Sequence, residues 1–417
     1  MRLTPHDYSP SVIRKIVHGA AREPSFREAA EAMADLAEVS ISSRQLDRIA
    51  HEVGEQLRAD RDERVDQLQA GTLKPCVETR PALAVVEVDG GRLQIRGQGE
   101  GPGAHAAAWR EDKIAILATM AHTPSESDPE PELPECFGDR AFVEKVIGAI
   151  GGTGSMGAPS VPAEVQTPVT MPVPAAVASK SAEPRPVPEL MVRTYVATTA
   201  PVEQFGPMVA AEAWRRNFPA AAARAFLGDG SPWIWGLHRR HFPEAVAIVD
   251  FLHALTHLFA AAKHATADPE GRWELFQGWA EACWKGHVGV VIEELRLRCE
   301  IPLILCGGDL SGRAEDDPMR VIARVIGYLE ENRGRMDYPS FRRQGLPWTT
   351  SHVESTVKVF NRRVKGSEKF WSWSGAEAML QVRAAFLSED GRLDRHMKEQ
   401  PCFPFRNYKT RESRKVA

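Results

Sequence analysis

Residues 82–97, ALAVVEVDGGRLQIRG, decide the fold class of this 417-residue chain. Small and β-branched apolar residues run on both sides of Asp89-Gly90-Gly91. That triplet is a turn signal, so the spacing predicts a hairpin whose first strand ends at Asp89. Residues 113–122, KIAILATMAH, read as a further strand, and Pro and acidic residues dominate from Thr123 to Glu135. Beyond residue 188 the pattern changes. ELMVRTYVATTA (189–200) reads as a strand, EQFGPMVAAEAWRRNFP (203–219) as a helix, and ARAFLGDG (223–230) as a buried strand ending at Asp229. A helix signal, SPWIWGLHRRHFP (231–243), then leads into AVAIVDFLHALTHLFAAAKH (245–264). Consecutive strands followed by alternating helices and strands are the order expected of a mixed α/β sheet.

Around this core the texture is helical. Residues 1–75 carry apolar positions at Phe26, Ala29, Ala30, Met33 and Leu36, then a break, then Leu46, Ile49 and Val53. Two short helices are predicted, the second capped by Ser42 or Ser43. Arg44 and Arg48 on that second helix suit a helix-turn-helix lying in a DNA groove, and equally a hairpin that only packs. Residues 271–340 read as a helical insertion, and 341–417 as C-terminal helices with a basic tail; the core occupies 80–270. Residues 151–188 are rich in Pro, Ala, Val and Gly and read as a linker. Gly152, Gly154 and Gly157 there fit GxGxxG, but Pro159 and Pro162 follow instead of a capped helix, so the nucleotide-binding reading fails.

Composition sets limits. Hydrophobic residues at 43% and charged residues at 26% are those of globular domains. The longest apolar stretch, Ala245 to Ala262, is broken by Asp250, His253 and His257, so no membrane span and a cytoplasmic location are expected. Six cysteines without CxxC spacing argue against a thiolate zinc site or a disulfide framework. The net charge of −4 is segregated: residues 333–417 hold 18 Lys/Arg against 9 Asp/Glu, leaving −13 on the remainder. A basic C-terminal region suits phosphate-backbone contact.

Three acids stand out: Asp89 and Asp229 at strand ends, and Glu354 opening the amphipathic stretch HVESTVKVFNRRVKG (352–366). Two-metal phosphodiester chemistry needs carboxylates converging from different elements in this way. Lys358, Arg362, Arg363 and Lys365 follow Glu354 at spacings suited to flanking phosphates, while Trp371 and Trp373 suit either base stacking or core packing. His253 and His257, with His238 and His241 nearby, admit a rival metal site, although HExxH is missing. Asp250 is an alternative to Asp229 as second ligand.

Read together, VVEVDGGRLQIR (85–96), GDGSPWIWGLHRRHFPEAVAIVDFLHALTHL (228–258) and TTSHVESTVKVFNRRVKGSEKFWSWSGAEAMLQVRA (349–384) resemble three signature blocks of Kra-type bacterial insertion-sequence transposases, within the Mutator-like group. The resemblance covers roughly 80–120 and 190–390. It implies a ribonuclease H-like core in which Asp89, Asp229 and Glu354 form an Asp-Asp-Glu triad holding two Mg²⁺, or Mn²⁺, ions. Asp250 and His253 match that group's (Cys/Asp)-x-x-His element, with a supporting role. The implied partners are transposon ends with inverted repeats and target DNA, bound by a homo-oligomer in the bacterial nucleoid. A nuclease or resolvase on the same fold, or a DNA-binding derivative without catalysis, is the alternative.

Overall fold

The computed structural model describes residues 6–97, 108–154, 188–305, 310, 312–349, 360, 363–366 and 369–399, with backbone alone at 151–154 and 299–305. Its centre is a mixed sheet of six strands: β1 (Leu83–Ile95), β2 (Trp109–Met120), β3 (Leu190–Thr198), β4 (Ala223–Gly228), β5 (Val246–Val249) and the short β6 (Phe370–Trp371). The order is β3-β2-β1-β4-β5, and β6 pairs with the far end of β1. β2 runs antiparallel to both of its neighbours, β1 and β3, whereas β4 and β6 run parallel to β1, and β5 runs parallel to β4.

β1 corrects the hairpin expectation. The chain does not turn at Asp89-Gly90-Gly91; one strand passes through them and pairs in register from Leu83↔Met120 to Gln94↔Trp109. A Cβ on Gly91 would stand 2.7 and 2.8 Å from the two carboxylate oxygens of Asp112 across the ladder. Gly91 is therefore small because a neighbouring strand's side chain fills its space, a role short-range spacing does not reveal.

Helices cover both faces. On one side α4 (Arg140–Gly154), α6 (Pro232–His241), α7 (Phe251–Ala265), α8 (Pro269–Trp284), α9 (Val288–Leu305), α10 (Pro318–Asn332) and α11 (Tyr338–Arg343), with α5 (Val202–Arg215), gather their apolar faces into one cluster with residues of the strands. The helices expected as an insertion share this core directly: Phe276, Trp279 and Trp284 lie in one cluster with Val85, Leu227 and Phe251. On the other side stand α1 (Pro10–Arg22), α2 (Phe26–Ala37), α3 (Ser43–Gln69), α12 (Trp373–Leu387) and α13 (Arg392–Glu399).

The N-terminal region thus has three helices rather than two. Ser42 caps α3 by accepting from Gln45 N–H, as its sequence position predicts. Leu46, Ile49, Ala50 and Val53 then turn inward, and at Gly54 the helix crosses α12 so closely that a Cβ would stand 2.4 Å from the Ala378 carbonyl oxygen. Arg44 and Arg48 remain exposed.

Charge also locks the far end of the chain. Arg392, at the start of α13, reaches Glu212 of α5 and Asp390, and Arg215 bonds Asp390 at 2.9 Å. Glu212 is only 5% exposed. Burial works against its charge, but the guanidinium groups of Arg392 and Arg215 overcome that and hold its carboxyl down at about 2. Among the described residues no helix is long and apolar enough to cross a membrane.

Candidate active site

Parallel pairing brings the sequence's acids together. β1 and β4 pair with partners 140 positions apart as far as Glu87↔Leu227, so Asp229 is the position that faces Asp89 when the register continues. β4 and β5 pair as far as Gly228↔Val249, which sets Asp250 beside Asp229 in the same way. The Asp250 N–H donates to the Gly228 carbonyl at 2.9 Å, so the two strand ends are still tied one residue further on. Three aspartates therefore line up across three neighbouring strands, Asp89 within β1 and Asp229 and Asp250 just past the ends of β4 and β5, and strand ends of this kind are where open α/β sheets commonly bind their ligands.

Each carboxylate is held locally. Asp89 accepts from the Gly90 N–H at 2.7 Å, and Asp229 accepts from the Ser231 N–H at 2.7 Å as the chain turns into α6. Asp250 is fully buried and caps α7: one oxygen accepts from the Leu252 N–H at 2.9 Å and the other faces His253 Nδ1 at 3.1 Å. Burial pushes the Asp89 carboxyl up to about 6; the His253 charge opposes this, and Asp229 and Asp250 add to it. Burial disfavours charge on His253, yet its hydrogen bond to Asp250 and the surrounding aspartates prevail and raise the ring to about 10. The imidazolium of His253 thus stands among carboxylates and offsets part of their repulsion.

The Asp229 turn is braced from α10. Tyr328 donates its hydroxyl to the Asp229 carbonyl at 2.9 Å, and its ring stacks on His257 with centroids 3.7 Å apart. Gly230 has φ of +101°, and a Cβ there would meet the Tyr328 ring at 2.4 Å. Glycine answers both demands, left-handed backbone and close approach. Burial, then the charge of His253, takes the His257 ring down to about 4. His257 is a neutral aromatic surface, His238 bonds the Ala245 carbonyl, and His241 lies against Gly206.

Glu354, Lys358 and Arg362 lie outside the described residues. The nearby Phe360 and Val364 pack with Ile114, Ile116 and Tyr195, and Ile114 is the partner of Asp89 in the β1–β2 ladder. Lys365 is half-buried. Next to it the Gly366 carbonyl accepts from Gln94 of β1 at 2.8 Å. Arg363 corrects the expectation of a phosphate contact. It is 2% exposed, donates to the Ala20 and Pro24 carbonyls, and lies over the rings of Phe26 and Trp371. Trp371 joins it inside by donating to the Val364 carbonyl, whereas Trp373 is 53% exposed.

Two buried acids escaped the sequence reading. Glu87 and Asp112 are 1% and 0% exposed, and none of their four carboxylate oxygens has a hydrogen-bond partner. Burial raises both, Asp112 up to about 7, with the Lys365 charge opposing and Asp89 adding. Glu111-Asp112-Lys113 looks like a polar strand entry, and only the register shows where Asp112 lies.

The donor set of these aspartates is wholly oxygen, which suits a hard divalent cation such as Mg²⁺. A cation there would offset the burial and the neighbouring negative charges that together raise Asp89. Among the described residues no three His, Cys, Asp or Glu side chains already stand in metal-holding geometry. No family model matches the sequence, and comparison with curated proteins finds no relative. The site's own geometry and chemistry carry the functional reading.

Proposed function

We propose that this chain is a DNA transposase with a ribonuclease H-like catalytic core, which cleaves and joins DNA through Asp89, Asp229 and Glu354. The observation that carries the reading is the alignment of Asp89, Asp229 and Asp250 across β1, β4 and β5. The mixed sheet supports it too, since three consecutive antiparallel strands precede the alternation of helices and strands. Divalent cations bound there supply activation of the attacking oxygen and stabilisation of the leaving oxygen for in-line displacement at phosphorus.

The chain's own residues have separate tasks. Asp89 and Asp229, fixed on neighbouring strands, present acceptor oxygens to the cations, and Glu354 completes the set. Asp250 caps α7 and orients His253, whose positive charge keeps the carboxylates ionised while the site is unloaded. Tyr328 holds the backbone of Asp229, so the carboxylate keeps its place as DNA enters. Exposed Arg44 and Arg48, with Lys358, Arg362 and Lys365, meet backbone phosphates without reading sequence. A homo-oligomer on paired transposon ends follows from the reaction.

The test is Mg²⁺-dependent cleavage and strand transfer on DNA bearing the inverted repeats that flank the gene, with Asp89→Ala, Asp229→Ala and Glu354→Ala beside the parent. Each variant is expected to fold, bind the ends and lose both activities. Cleavage without joining would move the reading to a nuclease or resolvase, and binding without cleavage to an inactive derivative. Full activity in Asp229→Ala would shift the second ligand to Asp250.

A further inference from the structure

Asp112 has no assigned task, and its position is costly. A buried carboxylate without a hydrogen-bond partner loses its hydration and regains nothing from the protein. Yet this one is 0% exposed, and neither of its oxygens has a hydrogen-bond partner on another residue. The fold makes room for it: directly opposite residues of antiparallel strands share a face, and Asp112 is opposite Gly91, two residues beyond Asp89. Asp89, Gly91 and the Asp112 side chain therefore lie on the same face of the sheet. The carboxylate fills the volume that a Cβ on Gly91 would occupy, at 2.7 and 2.8 Å from its two oxygens. Phe360 and Val364 close the same face.

Glu87, the other unpartnered acid, is one pleat deeper beside the apolar residues of β1, opposite Ile116. Asp112 instead lies on the side of Asp89 where Gly366 docks on Gln94 and where the Lys365 charge opposes its burial most. Lys365 leaves both Asp112 oxygens without a hydrogen bond. Two acceptor oxygens thus remain unsatisfied next to the carboxylate that opens the proposed triad.

The geometry points to Asp112 as a further oxygen donor of the cation site built on Asp89, holding a divalent cation directly or through its bound water. This inference rests on the reading of Asp89 as a cation ligand. Gly91 is then part of the site, since it is the residue whose missing side chain admits the donor.

Mn²⁺ binding to the full-length protein without DNA tests this, followed by the loss of the free-ion paramagnetic resonance signal. Asp112→Asn keeps the shape and removes the charge. Gly91→Ala leaves Asp112 in the sequence but drives its carboxylate out of place. Circular dichroism and the thermal midpoint establish that each variant is folded. Both are expected to weaken Mn²⁺ binding about tenfold or more, the scale on which lost supporting groups weaken metal sites. Asp89→Asn is expected to do so at least as strongly. Parent-like affinity in both Asp112→Asn and Gly91→Ala, with Asp89→Asn weakened, overturns the role of Asp112 and keeps the site. Parent-like affinity in all three overturns the site as well.

Discussion

Glu212→Gln removes one charge from the cluster that fastens α13 to α5, and its cost can be worked out. In the folded chain the Glu212 carboxyl is held at about 2 against an ordinary 4.5. A tenfold change in a protonation equilibrium is worth about 1.4 kcal/mol, so the ionised form contributes on the order of 3 kcal/mol. Removing one member of a buried ion pair costs a similar amount, about 3–5 kcal/mol, because the other charge is stranded. The sign follows from the depressed value. The stability is fully present above pH 4.5 and is lost as pH falls through 4.5 towards 2. Urea unfolding from pH 7 down to pH 3 is the assay. Glu212→Gln is expected to be destabilised by about 3 kcal/mol at pH 7, and its gap to the parent should narrow as acid protonates the parent's carboxyl. A gap that stays constant across the range, or none at pH 7, would show that the pairing with Arg392 and Arg215 does not set this carboxyl's energetics.

Two further outcomes concern the site. Tyr328→Phe removes the hydroxyl that holds the Asp229 carbonyl, at about 1 kcal/mol of stability. DNA cleavage should slow while affinity for the ends is kept; an unchanged rate at saturating DNA would show that Asp229 needs no brace. Among the basic residues, Arg44→Ala and Arg48→Ala should each lower the salt dependence of DNA binding by about one unit of slope. Arg363→Ala should instead lower the thermal midpoint and leave that slope unchanged, because its guanidinium bonds the Ala20 and Pro24 carbonyls. A reduced slope in Arg363→Ala would mean that the arginine leaves this pocket to meet phosphate.

What the sequence disclosed was local. An apolar run marked the strand around Ala225, Ser42 marked the start of α3, and Asp229 stood out as an acid at a strand end, whereas the short strand before Asp250 went unread. Misreadings arose where a distant partner decides. Asp89-Gly90-Gly91 has the composition of a turn, yet the strand continues because β2 pairs along its whole length and Asp112 needs the space above Gly91. Arg363 looks like its basic neighbours until the last turn of α1 and the loop after it are seen to take its hydrogen bonds. Asp112 and Tyr328 lie in stretches with nothing unusual in composition; only the ladder and the packing of α10 bring them to Asp89 and Asp229.

The pairing of β6 with β1 has a consequence for the time at which the protein becomes whole. Ile95 and its partner Trp371 are about 280 positions apart, with nearly every other element between them. At roughly 5–20 residues per second, the ribosome delivers the second about 15–55 s after the first. Throughout that interval Gln94 and Ile95 at the end of β1 wait without the strand that pairs with them. Gln94 likewise waits for the Gly366 carbonyl. A message broken before codon 371 therefore yields a chain that cannot close its sheet, however complete its first two aspartates are.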